Sequence, residues 1–335
     1  MTAAPEWSAP PTFPWPIEKV RESLRLFSRH PEVKGHYFLR AFVAAVMFLF
    51  RSLSWNAAWR LAHAVGWLLY KLKVRREVAM INLDIAFGDR KTPAEKEAIY
   101  RGSLDNIGRG FVNYVRMPLM TEQFCKEHFE IENESILREA FNRGKGVLCL
   151  SGHFGAWDTS VGRLATAGYP MFLVAKQLPN PVFDKTVADL RESMNEGNIK
   201  HKDSMPIILE TLRRGAGIVM VIDQNMKHEQ GVYLNFFGRP ASTMRSPAWI
   251  VRETGAAVVA GYSRQLAPMR FVITIQEEVP WEPCPGDPDR ELLVNNQRQT
   301  DAFARMVEKY PELWLWEHRR WKFQPEGWTN PYEKK

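Results

Sequence analysis

Gly146-Val-Leu-Cys-Leu-Ser-Gly-His153-Phe-Gly-Ala-Trp-Asp158 is the stretch that decides how the chain is read. Residues 147–150 are four apolar residues in a row, the pattern of a short strand buried on both faces. Ser151 and Gly152 end the strand, and His153 stands where it spills into a turn. Gly155 permits a tight bend into a helix expected over 157–167. A histidine at the carboxyl end of a buried strand lies where open α/β sheets bind their ligands. Asp158 follows five residues later. In one continuous helix that spacing sets two side chains about 140° apart. With His153 in the turn and only Asp158 in the helix, the carboxylate can fold back on the ring. His153 is then a candidate general base, with Asp158 fixing its tautomer and stabilising its positive charge. The same spacing also fits an ordinary histidine beside an aspartate that favours the helix N-terminus.

Beyond Asp158 the pattern alternates between strand and helix. Strands are expected at 171–174, 217–222, 256–262 and 271–277, and helices at 181–196, 205–214, 247–254 and 289–308, with a short apolar stretch at 232–236. Upstream, Thr92-Pro93-Ala94-Glu95 is a capping box with proline at the first helical position. It opens a helix that Pro118 stops. A strand at 129–131 and a helix at 134–142 lead into the central unit. This order predicts one α/β domain around a mixed, mostly parallel sheet flanked by helices. The expected divisions are an irregular Pro- and Ala-rich arm over 1–35, amphipathic helices over 36–75, and the α/β domain over 76–335.

The 335 residues carry a net charge of +7, so anionic partners are favoured: a membrane surface, a phosphorylated substrate or an acidic protein. Nucleic acid fits least, because no zinc spacing, RNP-like strand or continuous basic helix is present. Cys125, Cys149 and Cys284 lie far apart and form neither a disulfide framework nor a metal cluster, which suits a reducing compartment. The eight histidines make no ligand spacing, so no metal is expected. Residues 41–50 are the most apolar run, bracketed by Arg40 and Arg51. At about 15 Å as a helix, the run is half a bilayer's hydrocarbon core. An amphipathic helix over 52–73 continues it, with Trp55, Trp59, Trp67 and Leu68 on its apolar stripe. Lys71, Lys73, Arg75 and Arg76 follow at once. A Trp-rich stripe beside a basic cluster suits an anionic membrane surface, although an ordinary core helix has the same pattern. The twelve tryptophans fit the interfacial reading.

With these blocks in place, Gly-His153-Phe-Gly-Ala-Trp-Asp158 resembles the H-x4-D/E block of the glycerolipid acyltransferase superfamily. Its flanks are most similar to the late acyltransferases of lipid A biosynthesis, the lauroyl/myristoyl group. Four further blocks agree in order: Arg75-Arg76-Glu-Val-Ala-Met-Ile-Asn82-Leu-Asp-Ile-Ala-Phe87-Gly-Asp89; Ala175-Lys176-Gln-Leu-Pro-Asn180-Pro181; Asp223-Gln224-Asn225 with Phe236-Phe237-Gly238 and Ala241-Ser242-Thr243; and Pro311-Glu312-Leu-Trp314-Leu-Trp316-Glu-His318-Arg319-Arg320-Trp321-Lys322. The resemblance covers about residues 36–325. The chain departs from the group's usual pattern at Asp158 (usually Glu), Ala156 (Asn), Lys176 (Arg) and Asn225 (often Asp). Lysine for arginine loses bidentate recognition of a phosphate or carboxylate.

The resemblance implies transfer of a fatty acyl chain from acyl carrier protein to a hydroxyl of a lipid A precursor, with a coenzyme A thioester as the other possible donor. It also implies a bacterial inner membrane location, with the site on the cytoplasmic face and no cofactor. His153 would take the hydroxyl proton. No G-x-S-x-G elbow is present and Cys149 is expected in the sheet core, so direct attack is simpler than a covalent intermediate. Lys176 is a candidate for the oxyanion or an acceptor phosphate. Asp223, at the end of an apolar strand, is a candidate to orient a substrate hydroxyl or to pair with Lys176. Arg245, Arg319 and Arg320 are candidate phosphate binders, and Asn180-Pro181 a turn shaping the substrate site. Each of these also has an ordinary reading, as a cap, a turn or a surface charge. Competing functions are the same chemistry on another glycolipid, lysophospholipid or aminolipid, a thioesterase or lipid hydrolase, and a lipid-binding protein without catalysis.

Overall fold

The computed structural model describes residues 36–175, 177–200 and 204–333. The expected irregular arm lies outside these residues, as does Lys176. Two helices come first, α1 (Tyr37–Ser52) and α2 (Trp55–Lys71). They do not form the continuous run that the sequence suggested. Ser54 interrupts it, its hydroxyl accepting the Ala57 N–H at 3.2 Å to cap α2, and the axes bend by 119°. Next come α3 (Arg76–Phe87) and α4 (Pro93–Val115), the latter opened by the Thr92/Glu95 capping box.

The α/β region then runs α5 (Glu122–His128), β1 (Phe129–Glu132), α6 (Glu134–Asn142), β2 (Val147–Ser151), α7 (Trp157–Thr166), β3 (Met171–Ala175), α8 (Pro181–Glu192), β4 (Gly197–Lys200), α9 (Met205–Arg213) and β5 (Gly217–Val221). A hairpin follows, β6 (Gly231–Phe236) and β7 (Arg239–Met244). Last come α10 (Ser246–Thr254), β8 (Ala257–Ala267), β9 (Arg270–Glu278) and α11 (Pro288–Lys309).

Seven strands form one sheet in the order β1-β9-β8-β2-β5-β3-β4. All neighbours are parallel except β8 and β9. The mostly parallel mixed sheet expected from the sequence is therefore present. Its central strands β2, β3 and β5 read as near-continuous apolar runs, as strands covered by helices on both faces do. Leu148 and Leu150 of β2 face one core with Ile218, Met220, Phe303 and Met306. Val147 faces the other with Val161, Leu164, Val219 and Ile273.

Trp314, Trp316 and Trp321 are fully buried in the first core, so part of the tryptophan content that suggested an interface packs the interior instead. Their segment is threaded beneath the β2 turn. The Gly155 N–H donates to Leu313 O at 2.9 Å, and the Leu315 N–H to His153 O at 3.2 Å.

Candidate active site

Residue register builds the site. Parallel β2 and β5 are paired Val147 to Gly217 through Ser151 to Val221. Two residues beyond that last pair on each strand are His153 and Asp223, which therefore leave the sheet side by side. The His153 backbone N–H donates to Asp223 Oδ2 at 2.9 Å, and its ring Nδ1 to Asp223 Oδ1 at 3.1 Å. The Trp314 indole N–H reaches Oδ2 at 2.9 Å. Three donors thus hold one carboxylate that is only 3% exposed. Burial alone would raise the Asp223 pKa, but the His153 charge and the hydrogen bonds from His153 and Trp314 outweigh it and hold the carboxyl at about 2. The His153 ring feels the converse. Burial lowers its pKa, and the Asp223 charge and hydrogen bond, with a smaller contribution from Asp158, more than reverse this, for a net rise above 6.5.

With Nδ1–H given to Asp223, Nε2 is the basic nitrogen. It is accessible, since the His153 side chain is 30% exposed, and the Gln224 side-chain amide donates to it at 3.4 Å. Gly155 fixes the turn. Its φ is +64°, and a Cβ there would stand 1.8 Å from Ser263 O, so no other residue fits. The loop after Asp223 is pinned by His318, whose Nε2 accepts the Asn225 N–H at 3.1 Å. Burial depresses the His318 pKa to about 4, which keeps that nitrogen an acceptor.

The hydrogen bond expected between His153 and Asp158 is made with Asp223 instead. Asp158 accepts from Arg191 Nη2 of α8 at 3.1 Å, and Arg191 Nε lies 3.7 Å from Glu196 Oε1. Desolvation dominates both acids. Asp158 is raised to about 6, with Arg191 opposing the rise, and Glu196 to about 8. Asp158 remains beside His153, since both line a cavity of about 270 Å³. The cavity runs between the β2 turn and α4, with Ile107, Phe111, Trp157 and Leu315 on its apolar walls and Asn113 and Tyr114 among its polar ones.

The other expected site residues have structural partners or stand in the open. Asn180 caps α8, its Oδ1 accepting the Val182 and Phe183 N–H groups at 2.9 and 3.4 Å. Arg320 is buried, donating to Ser242 O at 2.7 Å and to Thr243 Oγ1, and it stacks 5.1 Å from the Phe236 ring. It fastens the C-terminal segment to β7 and presents no guanidinium to solvent. Arg319 is exposed, 5.9 Å from the Tyr332 ring, and Arg245 is exposed at the start of α10. Cys149 is held in the sheet, where burial pushes its thiol up to about 12. Sequence reasoning missed Trp314, Gln224, Arg191 and Glu196. Trp314 and Gln224 stood in motifs quoted above, whereas the charges of Arg191 near the end of α8 and Glu196 in the turn after it give no sign in the sequence that they are buried.

A basic imidazole nitrogen backed by a buried carboxylate, beside an apolar cavity at the carboxyl edge of a parallel sheet, is an arrangement that can activate a nucleophile beside an apolar ligand. Comparison with known proteins gives the particular family. A sequence model described as bacterial lipid A biosynthesis acyltransferase matches residues 27–323, and the chain belongs to that family. It is therefore an O-acyltransferase. It is 23% identical over 323 residues to the lipid A biosynthesis palmitoleoyltransferase of Escherichia coli (strain K12), covering 91% of this chain and 98% of that one. To the lipid A biosynthesis lauroyltransferase of the same strain it is 20% identical, covering 88% and 95%. A phosphatidylinositol mannoside acyltransferase of Mycolicibacterium smegmatis is 24% identical over 236 residues, 69% of this chain and 75% of that one.

Proposed function

We propose that the chain moves a fatty acyl group from an acyl thioester, carried by acyl carrier protein, to a hydroxyl of a lipid A precursor at the cytoplasmic face of the bacterial inner membrane. The observation that carries this reading is the Asp223–His153 pair opening on an apolar cavity, in a chain whose relatives of matching length are named for lipid A acylation.

In the proposed reaction the acceptor hydroxyl gives its proton to His153 Nε2 as its oxygen attacks the thioester carbonyl. Asp223 stabilises the imidazolium that forms. Collapse of the tetrahedral intermediate breaks the carbon–sulfur bond, and the leaving thiolate takes the proton back from His153. Oxygen gains the acyl group, sulfur leaves as thiol, and the base is restored. Cys149 takes no part, because a thiol raised to about 12 is not ionised at neutral pH. Asp158, paired to Arg191, supports the ring through its charge and does not hold Nδ1.

A second reading keeps the chemistry and changes the acceptor to another glycolipid. The likeness to a phosphatidylinositol mannoside acyltransferase favours it. The deciding assay gives detergent-purified protein a radiolabelled acyl-carrier-protein thioester and a panel of acceptors, with His153→Ala in parallel. Transfer to a lipid A precursor, lost in the variant, is the expected result. Transfer only to another glycolipid would select the second reading. Release of free fatty acid alone, or activity indifferent to His153, would overturn both.

A further inference from the structure

α4 turns one face to the cavity that holds His153. Asn106, Ile107, Gly110, Asn113 and Tyr114 line it, at the three- and four-residue spacing of a single helical stripe. Both asparagines on this stripe give their amide hydrogens to the protein. Asn106 Nδ2 donates to Leu313 O at 3.0 Å, and Asn113 Nδ2 to Gln265 Oε1 at 2.7 Å. Neither amide can be turned over, since that would set oxygen against oxygen. Leu313 O is a carbonyl and only accepts, and the Gln265 amide is itself fixed by donating from Nε2 to Pro268 O at 3.2 Å. The Tyr114 hydroxyl likewise sends its hydrogen away, toward Val187 O at 3.5 Å. The two carboxamide oxygens have no hydrogen-bond partner among the described residues. Asn113 is only 5% exposed, so the cavity it lines is where its oxygen opens. Leu313 O also takes the Gly155 N–H at 2.9 Å, so one oxygen ties the Asn106 amide to the turn that carries His153. Among the described residues no lysine or arginine lines this cavity, and Asp158 stands in its wall. A phosphate brought to the α4 face would meet lone pairs only.

We propose that Asn106 and Asn113 form a subsite for the neutral, hydroxyl-bearing headgroup of the acyl acceptor, accepting hydrogen bonds from hydroxyls other than the one that reacts. This rests on the acyl-transfer reading above. A sugar-like headgroup matches the wall, since each hydroxyl brings a donor to an oxygen that has none. A headgroup lacking that hydroxyl leaves a desolvated carbonyl oxygen unpaired, and the unmade bond supplies most of the discrimination. A phosphate on the same molecule is kept off this wall. The amide N–H groups of a pantetheine arm on the acyl donor have the same hydrogen-bonding chemistry, and the test separates the two sources.

The test measures binding to the full chain in a zwitterionic detergent by calorimetry. The probes are octyl glucoside, its monodeoxy analogues, octyl phosphate and an acyl-pantetheine thioether that cannot transfer its chain. At least one monodeoxy analogue is expected to bind the unsubstituted chain about tenfold more weakly than octyl glucoside, and octyl phosphate more weakly still. Asn113→Leu should bind octyl glucoside about tenfold more weakly and no longer distinguish it from that analogue, while the thioether binds both chains alike. Asn106→Leu, at a half-buried position, gives the same reading where Asn113→Leu does not fold. Deoxy analogues that all bind the unsubstituted chain as well as octyl glucoside does, octyl phosphate that binds it more tightly, or a loss in Asn113→Leu that falls on the thioether would each overturn the proposal while leaving acyl transfer standing. Absence of transfer by the unsubstituted chain in the radiolabel assay removes the acyl-transfer reading, and with it the acyl acceptor as the ligand of this subsite.

Discussion

At the scale of single residues, the carboxylate expected to hold the His153 ring, Asp158, pairs with Arg191, and the one expected to meet a substrate hydroxyl or Lys176, Asp223, holds the ring instead. Asp223 is buried but held ionised by three donors, whereas Asp158 is half-buried and answered by one guanidinium. The proposed base therefore depends on Asp223 for tautomer and charge. Asp223→Asn is expected to cut kcat by about 10³- to 10⁴-fold with little change in the KM for the acyl donor, read in steady-state assays. Since the folded His153 pKa is raised, activity of the unsubstituted chain should climb with pH along a limb centred above 6.5. In Asp223→Asn, burial acts without its main opponent, so the residual activity should show that limb at lower pH. A limb that stays in place would mean that another group is the base. Glu196 has the opposite linkage to Asp223. An acid raised from 4.5 to about 8 favours the fold below 4.5 and loses that contribution as pH rises through 8. Thermal unfolding of Glu196→Gln should gain on the unsubstituted chain between pH 5 and pH 9. A difference that does not move with pH would show Glu196 ionised against Arg191 throughout.

At the scale of elements, parallel pairing creates the site. The turn after β2 was legible in the sequence, because four apolar residues followed by glycines have few alternatives. The position of Asp223 at a strand end was legible too. Its partnership was not, because that depends on β5 lying next to β2 in a register that pairs Ser151 with Val221, and neither adjacency nor register is written in local pattern. Strands β4 and β7 escaped for a different reason: Gly-Asn-Ile-Lys and Arg-Pro-Ala-Ser-Thr-Met carry too few apolar residues to read as strands. Arg320 was expected to bind phosphate or to stand as a surface charge, since nothing in a basic run marks the one residue that turns inward. The α2–α4 pairing is equally hidden. Ala58, Ala62 and Gly66 form the buried stripe of α2, and a Cβ added at Gly108 of α4 would stand 2.4 Å from Ala62 O. Backbone meets backbone there, so side chains larger than hydrogen must part the helices. Gly108→Val is expected to destabilise the chain by about 2 kcal/mol or more. Limited proteolysis should then cut within 37–71 before the α/β region. Uniform protection, with unchanged unfolding, would mean that the two helices do not depend on this contact.

At the scale of the whole molecule, the N-terminal helices pose a problem that the core does not solve. α1 buries none of its residues, and Phe38 is 94% exposed, with Phe42 and Phe48 also open. Yet its far end is fixed firmly: Arg51 Nε donates to Val115 O at 3.0 Å, and Arg116 Nη1 to Phe50 O and Leu53 O at 2.6 and 2.9 Å. A helix anchored at one end and apolar along its length is arranged to present that surface outward. Among the described residues no single helix is long and apolar enough to cross a membrane, and only the bent pair α1–α2 has the combined length and composition. The reading this favours is attachment by an exposed aromatic face, aided by the net charge of +7. Apolar insertion and electrostatic attraction respond differently to salt, which makes the idea testable. The unsubstituted chain should float with anionic vesicles at low salt and remain partly bound at high salt, where only the apolar contribution survives. Phe38→Ser, Phe42→Ser and Phe48→Ser together should lower the partition coefficient at least about tenfold, since each ring contributes roughly 1.5–3 kcal/mol when buried. The same triple variant should keep its activity on detergent-dispersed acceptor, because these rings do not line the cavity beside His153. Vesicle binding that is abolished by salt and unaffected by the three substitutions would assign attachment to charge alone and leave the aromatic face of α1 without that role.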